Sequence, residues 1–151
     1  CTTALTGLNE WTGNLAHLRT DIPGRLNPPL AAIDRELPAT AKVLLVGPAA
    51  VFHVNHAVLY NTVFTPERIE VLAAGRAPAE FHKALVEQGI THIYVDWKEI
   101  HRYREPGNYG FTDFVTPDRF SEWVKAGVLD RPLAVDREQE LYAVKIVVSP
   151  R

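Results

Sequence analysis

Methionine is absent from the 151-residue chain, and Cys1 is its single cysteine. One cysteine excludes an internal disulfide, a thiolate zinc site and a redox pair within the chain. Because no methionine is present to start translation, we expect the chain to be part of a longer protein. The leading cysteine suits a lipid-anchored processed end as well as an arbitrary boundary.

Long apolar runs and an excess of charge are also absent. Apolar runs such as residues 43–46 and 146–148 are far shorter than the roughly 20 residues that cross a bilayer. The formal net charge is -2 with 23% charged residues, so nucleic acid is not an expected partner. The 46% of apolar residues suffices for one hydrophobic core and predicts one domain.

The domain organisation follows from the distribution of glycine and proline. Residues 1–24 are interpreted as a tether or linker with room for a short amphipathic helix, and residues 25–151 as a single α/β domain. The first helix is expected after Asn27 and ends at Pro38, with two prolines in its first turn. The apolar residues 43–46 then predict a strand buried on both faces.

The next segment predicts a strand and a helix in close succession. A strand is expected over residues 58–64, and Thr65 is expected to cap the helix that follows. Phe64 is expected to pack on Ile69 as a hydrophobic staple. The same capping pattern recurs at Thr116, which predicts another helix start.

The fold class follows from a helix, a glycine stop and a strand in sequence. Residues 78–88 predict a helix closed by Gly89, and residues 91–97 predict the strand after it. Residues 133–135 and 141–148 predict a hairpin. We therefore expect an α/β fold that is Rossmann-like and three-layered, with a mainly parallel sheet and an antiparallel hairpin at its C-terminal edge.

Candidate binding residues lie near the expected ends of the strands, because open α/β sheets bind ligands at the carboxyl ends of parallel strands. The predicted binding residues are His53, Asn55, His56, Asp96, Trp97, Arg102 and Tyr109. His53 and His56 are three residues apart, and a metal would need a third ligand such as Asp96 or His101. That spacing favours imidazoles bonded to loop backbone or solvent, so no metal site is predicted.

Residues 96–104 combine acids, bases and aromatic rings and can be interpreted in two ways. Such a cluster can hold a sugar or an anionic head group. The favoured alternative is an amphipathic helical turn with Trp97 and Ile100 facing inward. The glycine-containing loop of residues 105–114 also leaves two interpretations open, since its rings suit a sugar face or the sheet edge.

No catalytic centre or cofactor is predicted. Gly47 and Pro48 lack the further glycines and the lysine of a phosphate loop, which argues against a nucleotide cofactor. Asp96 and Glu99 at a strand end do not predict the converging carboxylates of a glycoside hydrolase. The sequence also shows no nucleophile with an evident base.

Several segments carry a resemblance to a known family. These are THIYVDWKEI at residues 91–100, RYR at 102–104, NYG at 108–110 and LYNTVF at 59–64. They resemble the C-terminal domains of bacterial polytopic membrane glycosyltransferase-like proteins of the dolichyl-phosphate-mannose mannosyltransferase type, over residues 40–130. The resemblance implies an extracytoplasmic, periplasmic domain of an integral membrane enzyme that uses polyprenyl-phosphate sugar donors. In that family the catalytic acids lie in the membrane part, so no catalytic residue transfers to this chain.

The leading hypothesis is therefore a non-catalytic accessory domain of a membrane glycosyltransferase. Its expected partners are the membrane part of the same polypeptide and a glycan or acceptor. One alternative is a free-standing or lipid-anchored protein that binds a sugar or a small anion. Another is a small metal-dependent enzyme that uses the histidines.

Overall fold

The structure, a computed structural model, describes residues 28–49, 51 and 54–146. The expected tether at residues 1–24 and the cap at Asn27 lie outside this part of the chain. In chain order the helices and strands are α1 (Pro28–Glu36), β1 (Lys42–Val46), β2 (Ala57–Leu59), α2 (Arg68–Ala73), α3 (Pro78–Glu87), β3 (His92–Asp96), α4 (Trp97–Arg104), α5 (Pro117–Lys125), β4 (Leu133–Asp136) and β5 (Gln139–Ala143). Within the described residues, no helix is long and apolar enough to cross a bilayer.

The five strands form one mixed sheet in the order β2-β1-β3-β5-β4. Strand β1 runs parallel to both β2 and β3, whereas β5 runs antiparallel to β3 and β4. The predicted α/β class and the antiparallel C-terminal hairpin are thus confirmed. The expectation of a mainly parallel sheet was wrong, because β5 adds directly to β3 and makes antiparallel pairings as numerous as parallel ones. The finer description, a Rossmann-like three-layer arrangement, stays a prediction.

Both faces of the sheet are apolar because its central strands alternate buried side chains toward opposite sides. Val43 and Leu45 belong to one core cluster with Leu30 and Ile33 of α1. The opposite cluster contains apolar side chains of β1, β3 and β5 packed against helices α2 to α5. Its largest members are Phe81, Trp97, Phe120, Trp123 and Tyr142.

The segment after β2 differs from the prediction. Strand β2 ends at Leu59, and residues 63–65 form a turn. Phe64 is 89% exposed while Ile69 is fully buried, so the expected staple between them was wrong. The turn projects Phe64 away from the core before the chain re-enters it through α2.

The capping of α2 explains this difference. Thr65 does not cap the helix, because its hydroxyl accepts the backbone N–H of Thr62 at 3.2 Å and donates to the Thr62 carbonyl at 3.1 Å. Asn61 supplies the missing acceptor, since its side-chain oxygen accepts the backbone N–H of Arg68 at 3.0 Å. Helix α2 therefore begins at Arg68, with Glu67 at the N-cap position.

The remaining predicted elements form close to their expected bounds. Gly89 ends the third helix with φ +70°, and β3 follows it. The hydroxyl of Thr116 caps α5 by accepting the backbone N–H of Arg119 at 3.2 Å, as predicted. Trp97 begins helix α4 and does not extend β3, because the carboxylate of Asp96 accepts the backbone N–H of Glu99 at 3.0 Å.

Candidate functional site

A pocket of about 450 Å³ opens at the carboxyl edge of the parallel strands. We call it the edge pocket. Its walls come from the turn after β1, the segment between β2 and α2, the start of α2, the end of α4 and the loop after α4. The lining residues are Gly47, Pro48, Asn61, Thr62, Val63, Thr65, Pro66, Glu67, Glu70, Tyr103, Tyr109, Gly110, Phe111, Thr112 and Asp113.

The floor of the edge pocket depends on Gly47. Its φ of +106° lies in the region that side-chain-bearing residues avoid. A Cβ atom there would lie 2.9 Å from the backbone oxygen of Asp96 and 3.3 Å from Ile100. The absence of a side chain therefore lets the chain turn away from β1 in close contact with the end of β3.

The wall between β2 and α2 is held by hydrogen bonds from Asn61. The Asn61 amide donates to the Thr65 hydroxyl at 3.3 Å and to the carbonyl of Pro66, while its oxygen caps α2. These three bonds fix both ends of the segment. The hydroxyl and amide groups of the wall are consequently positioned by local structure, which favours a preformed binding surface.

Glu67 brings an unusual carboxyl group into the edge pocket. Among the described residues, its Oε1 atom is buried without a hydrogen-bond partner. Burial, followed by the nearby carboxylate of Glu70, raises the pKa of Glu67 to about 7. Near neutral pH the group is therefore balanced between an acceptor-only carboxylate and a carboxyl that also donates.

The opposite wall is a loop fastened to α4. The backbone N–H of Gly110 donates to the Tyr103 carbonyl at 2.9 Å, and the guanidinium of Arg104 donates to the carbonyls of Thr112 and Val115. The ring of Phe111 stacks on the ring of Tyr103 with centroids 6.3 Å apart. These contacts fix the backbone of the loop, while the ring of Tyr109 stays 76% exposed at the pocket rim.

Two predicted binding residues, Asp96 and Trp97, are largely enclosed by the protein. Asp96 is 2% exposed, and its Oδ1 atom accepts from the backbone of Glu99 and from the side chain of Gln139. Burial raises the pKa of Asp96, and the hydrogen bond from Glu99 opposes that effect. Trp97 is 8% exposed and donates its indole N–H to Glu140 at 2.8 Å. Both side chains hold α4 against the sheet.

Arg102 and Tyr109 are exposed, but only Tyr109 lines the edge pocket. The guanidinium of Arg102 pairs with Glu99 at 2.6 Å and lies 4.6 Å above the ring of Tyr103. The favoured helical interpretation of this segment is confirmed for Ile100, which is fully buried.

Asn55 and His56 lie at the opposite edge of the sheet. Ala57 follows them and pairs with Lys42, the first residue of β1. Asp96 is the last residue of β3, which is parallel to β1, so it lies at the other end of the strands. The carboxylate of Asp34 binds the Asn55 backbone N–H at 2.9 Å and the His56 ring at 2.7 Å. The six predicted residues that the structure describes therefore do not form one face.

The histidine interpretation is resolved for one of the two residues. Nε2 of His56 bonds the backbone carbonyl of Pro38, in line with the predicted bonding to loop backbone, whereas Nδ1 bonds the side chain of Asp34, which was not predicted. His53 lies outside the described residues. Within the part of the chain that the structure describes, no group of three or more His, Cys, Asp or Glu side chains is placed to hold a metal ion.

Of the predicted binding residues that the structure describes, only Tyr109 lines the edge pocket. Asn61 and Glu67 are not among the predicted binding residues, and Asn61 falls within the strand expected over residues 58–64. The available signal was the position of this segment after a parallel strand, at the edge where open α/β sheets form ligand-binding crevices. The chemistry of the pocket now follows: three carboxyl groups, several hydroxyl and amide groups, and aromatic rings at the rim.

Comparisons with known proteins give one structural similarity. No protein-family model matches the chain, and no curated protein matches its sequence. Among solved structures, the C-terminal globular domain of oligosaccharyltransferase from Archaeoglobus fulgidus is similar, with a TM-score of 0.48 and 12% sequence identity. The similarity covers 83% of this chain and 99% of that domain. Similarity of this degree does not assign an activity to the chain.

Proposed function

We propose that this chain is a non-catalytic, extracytoplasmic accessory domain of a membrane glycosyltransferase that uses polyprenyl-phosphate sugar donors, and that it binds a glycan or acceptor in the edge pocket. The observation that carries the glycan assignment is the composition of the pocket. Hydroxyl, amide and carboxyl groups line it beside Tyr103, Phe111 and the exposed Tyr109. Sugars present hydroxyl groups at their edges and apolar C–H faces, so this combination matches both surfaces.

The membrane-enzyme part of the proposal rests on the sequence resemblance over residues 40–130. The described residues contain no helix that could span a bilayer, so the membrane part would be supplied by another segment of the same polypeptide. The periplasmic location and the polyprenyl-phosphate donor follow from the resemblance alone. A free-standing sugar-binding protein would use the same pocket without a membrane partner.

Binding of a neutral trisaccharide tests the proposal. Mannotriose added to the 151-residue chain is expected to shift amide NMR signals of residues 103 and 109–113, with no transfer or hydrolysis of the sugar. Replacing Tyr109→Ala removes a stacking ring and should weaken binding about fivefold to tenfold, since a ring contact contributes about 1 kcal/mol. Phe64→Ala is the matched control, because Phe64 is also an exposed ring, at 89% against 76% for Tyr109, but does not line the pocket.

Two results would contradict the proposal. One is the absence of any pocket signal shift at millimolar sugar. The other is equal weakening by Tyr109→Ala and Phe64→Ala, which would place the sugar outside the edge pocket. Thermal unfolding of both variants checks that loss of binding is not loss of folding.

A further inference from the structure

The charges around the edge pocket all have one sign. Glu67, Glu70 and Asp113 line it, and none of its described lining residues is basic. Three arginines adjoin lining residues in sequence. Arg102 and Arg104 are engaged with Glu99 and with loop carbonyls, and Arg68 lines the neighbouring pocket beside Val71 and Leu72 but not the edge pocket. Among the residues that line the edge pocket, an anionic ligand would meet carboxyl groups and no cation, which disfavours phosphate in particular.

The positive end of α2 does not offset this charge. Helix α2 has six residues, and the backbone N–H of Arg68 at its start already binds Asn61. Glu70 in the first turn also neutralises the helix end. The backbone around the pocket therefore adds no anion-binding site to the acidic lining.

The carboxyl groups of the lining indicate which ligand group the pocket accepts. Glu67, Glu70 and Asp113 each contribute one to the pocket. A hydroxyl group both donates and accepts, so it can bond a lining carboxyl group whether that group is ionised or protonated. A dianionic phosphate, the predominant form at pH 7.5, only accepts and cannot donate to an ionised carboxylate.

We infer that the edge pocket selects the uncharged, hydroxyl-bearing part of a glycan and rejects the phosphate-bearing end of a sugar donor. The inference rests on the proposed function and specifies its ligand class. Within a glycosyltransferase that uses a polyprenyl-phosphate donor, it assigns this domain to the acceptor or to the transferred glycan. The donor head group would then bind elsewhere in the parent protein.

The test compares two probes that differ at one position, methyl mannoside and mannose 1-phosphate. Titration of the 151-residue chain at pH 7.5, followed by amide NMR shifts of residues 103 and 109–113, is expected to show at least tenfold weaker binding of the phosphate. In the double variant Glu67→Gln with Glu70→Gln this discrimination should fall by about threefold or more, because the repulsive charge is removed. Glu122→Gln on the exposed face of α5 is the matched charge control and should leave discrimination unchanged.

The outcomes separate this inference from the proposed function. Equal or tighter binding of mannose 1-phosphate at the same signals would overturn the charge selection and leave glycan binding intact. Failure of both probes to shift the pocket signals would overturn the inference and the proposed function together. The affinities of methyl mannoside and mannose 1-phosphate can be compared in the unmodified chain. This comparison decides the test even if the double variant does not fold.

Discussion

The contact between Asp34 and His56 is expected to make the free energy of unfolding depend on pH. The Nδ1 atom of His56 lies 2.7 Å from the Asp34 carboxylate, and Nε2 lies 3.0 Å from the Pro38 carbonyl. Both partners are acceptors, so both bonds form only when each ring nitrogen carries a proton. The side chain of His56 is 5% exposed and that of Asp34 is 23% exposed. Asp34 thereby joins α1 to the segment that begins β2.

Two substitutions test the Asp34–His56 contact. Asp34→Asn removes the charge, and Asp34→Ala removes the whole polar group. A hydrogen bond to a charged group contributes about 1.5–3 kcal/mol, and the bonds from exposed Asn55 add little because water replaces them. We therefore expect Asp34→Ala to lower the free energy of unfolding by about 2–3 kcal/mol at pH 6. Asp34→Asn keeps the shape and removes the charge, so it isolates the ionic part.

The sign of the pH dependence follows from the direction of the shift. The hydrogen bond to Asp34 raises the pKa of His56 above its ordinary value, with burial opposing it. A raised folded-state pKa gives stability that is fully present below the unfolded pKa of about 6.5 and is lost as pH rises through the folded value. The cost of Asp34→Asn should therefore be largest near pH 6 and shrink toward pH 9.

Urea unfolding followed by tryptophan fluorescence at pH 6, 7, 8 and 9 measures this cost. His92 contributes a pH dependence of the unfolding free energy with the opposite sign, because burial and then the charge of His56 lower the pKa of His92. The difference between the parent chain and the variant is therefore the relevant quantity. His101→Gln, an exposed position on α4, is the control and should show no comparable change. A cost of Asp34→Asn that stays constant to within about 0.5 kcal/mol from pH 6 to 9 would refute the doubly protonated ring.

Two further predictions concern Gly47 at the floor of the edge pocket and the packing of α4. Gly47→Ala should lower the free energy of unfolding by about 2–3 kcal/mol, because a strained φ is combined with a Cβ only 2.9 Å from the Asp96 oxygen. Gly75 also has a positive φ, but a Cβ atom there would meet no neighbour within 4 Å, so Gly75→Ala is the control. Equal losses of unfolding free energy in urea for the two variants would contradict the steric argument. Trp97→Ala should cost about 3–5 kcal/mol because the ring is buried, whereas Arg102→Ala should stay within about 0.5 kcal/mol because the guanidinium is exposed. Thermal melts giving the reverse order would show that α4 packs differently.

Much of the architecture was predictable from local chemistry. Proline in the first turn, a threonine cap at Thr116 and a glycine stop at Gly89 act within a few residues of themselves, and each places a helix end where it forms. The continuous apolar runs of β1 and β3 likewise predict burial on both faces. These signals depend on the backbone and on immediate neighbours, so they are present in the sequence alone.

The pocket and the paired groups were decided by tertiary structure. Asn61 caps a helix seven residues away, and His56 meets a carboxylate twenty-two residues earlier in the chain, so no local pattern announces either contact. Glu67 acquires its raised pKa only when folding removes it from water beside Glu70. The sequence thus determined which elements form, whereas folding alone decided which side chains converge at the carboxyl edge of the parallel strands. The physical reason is that capping and alternation are short-range, while desolvation and charge coupling depend on distances that exist only in the folded chain.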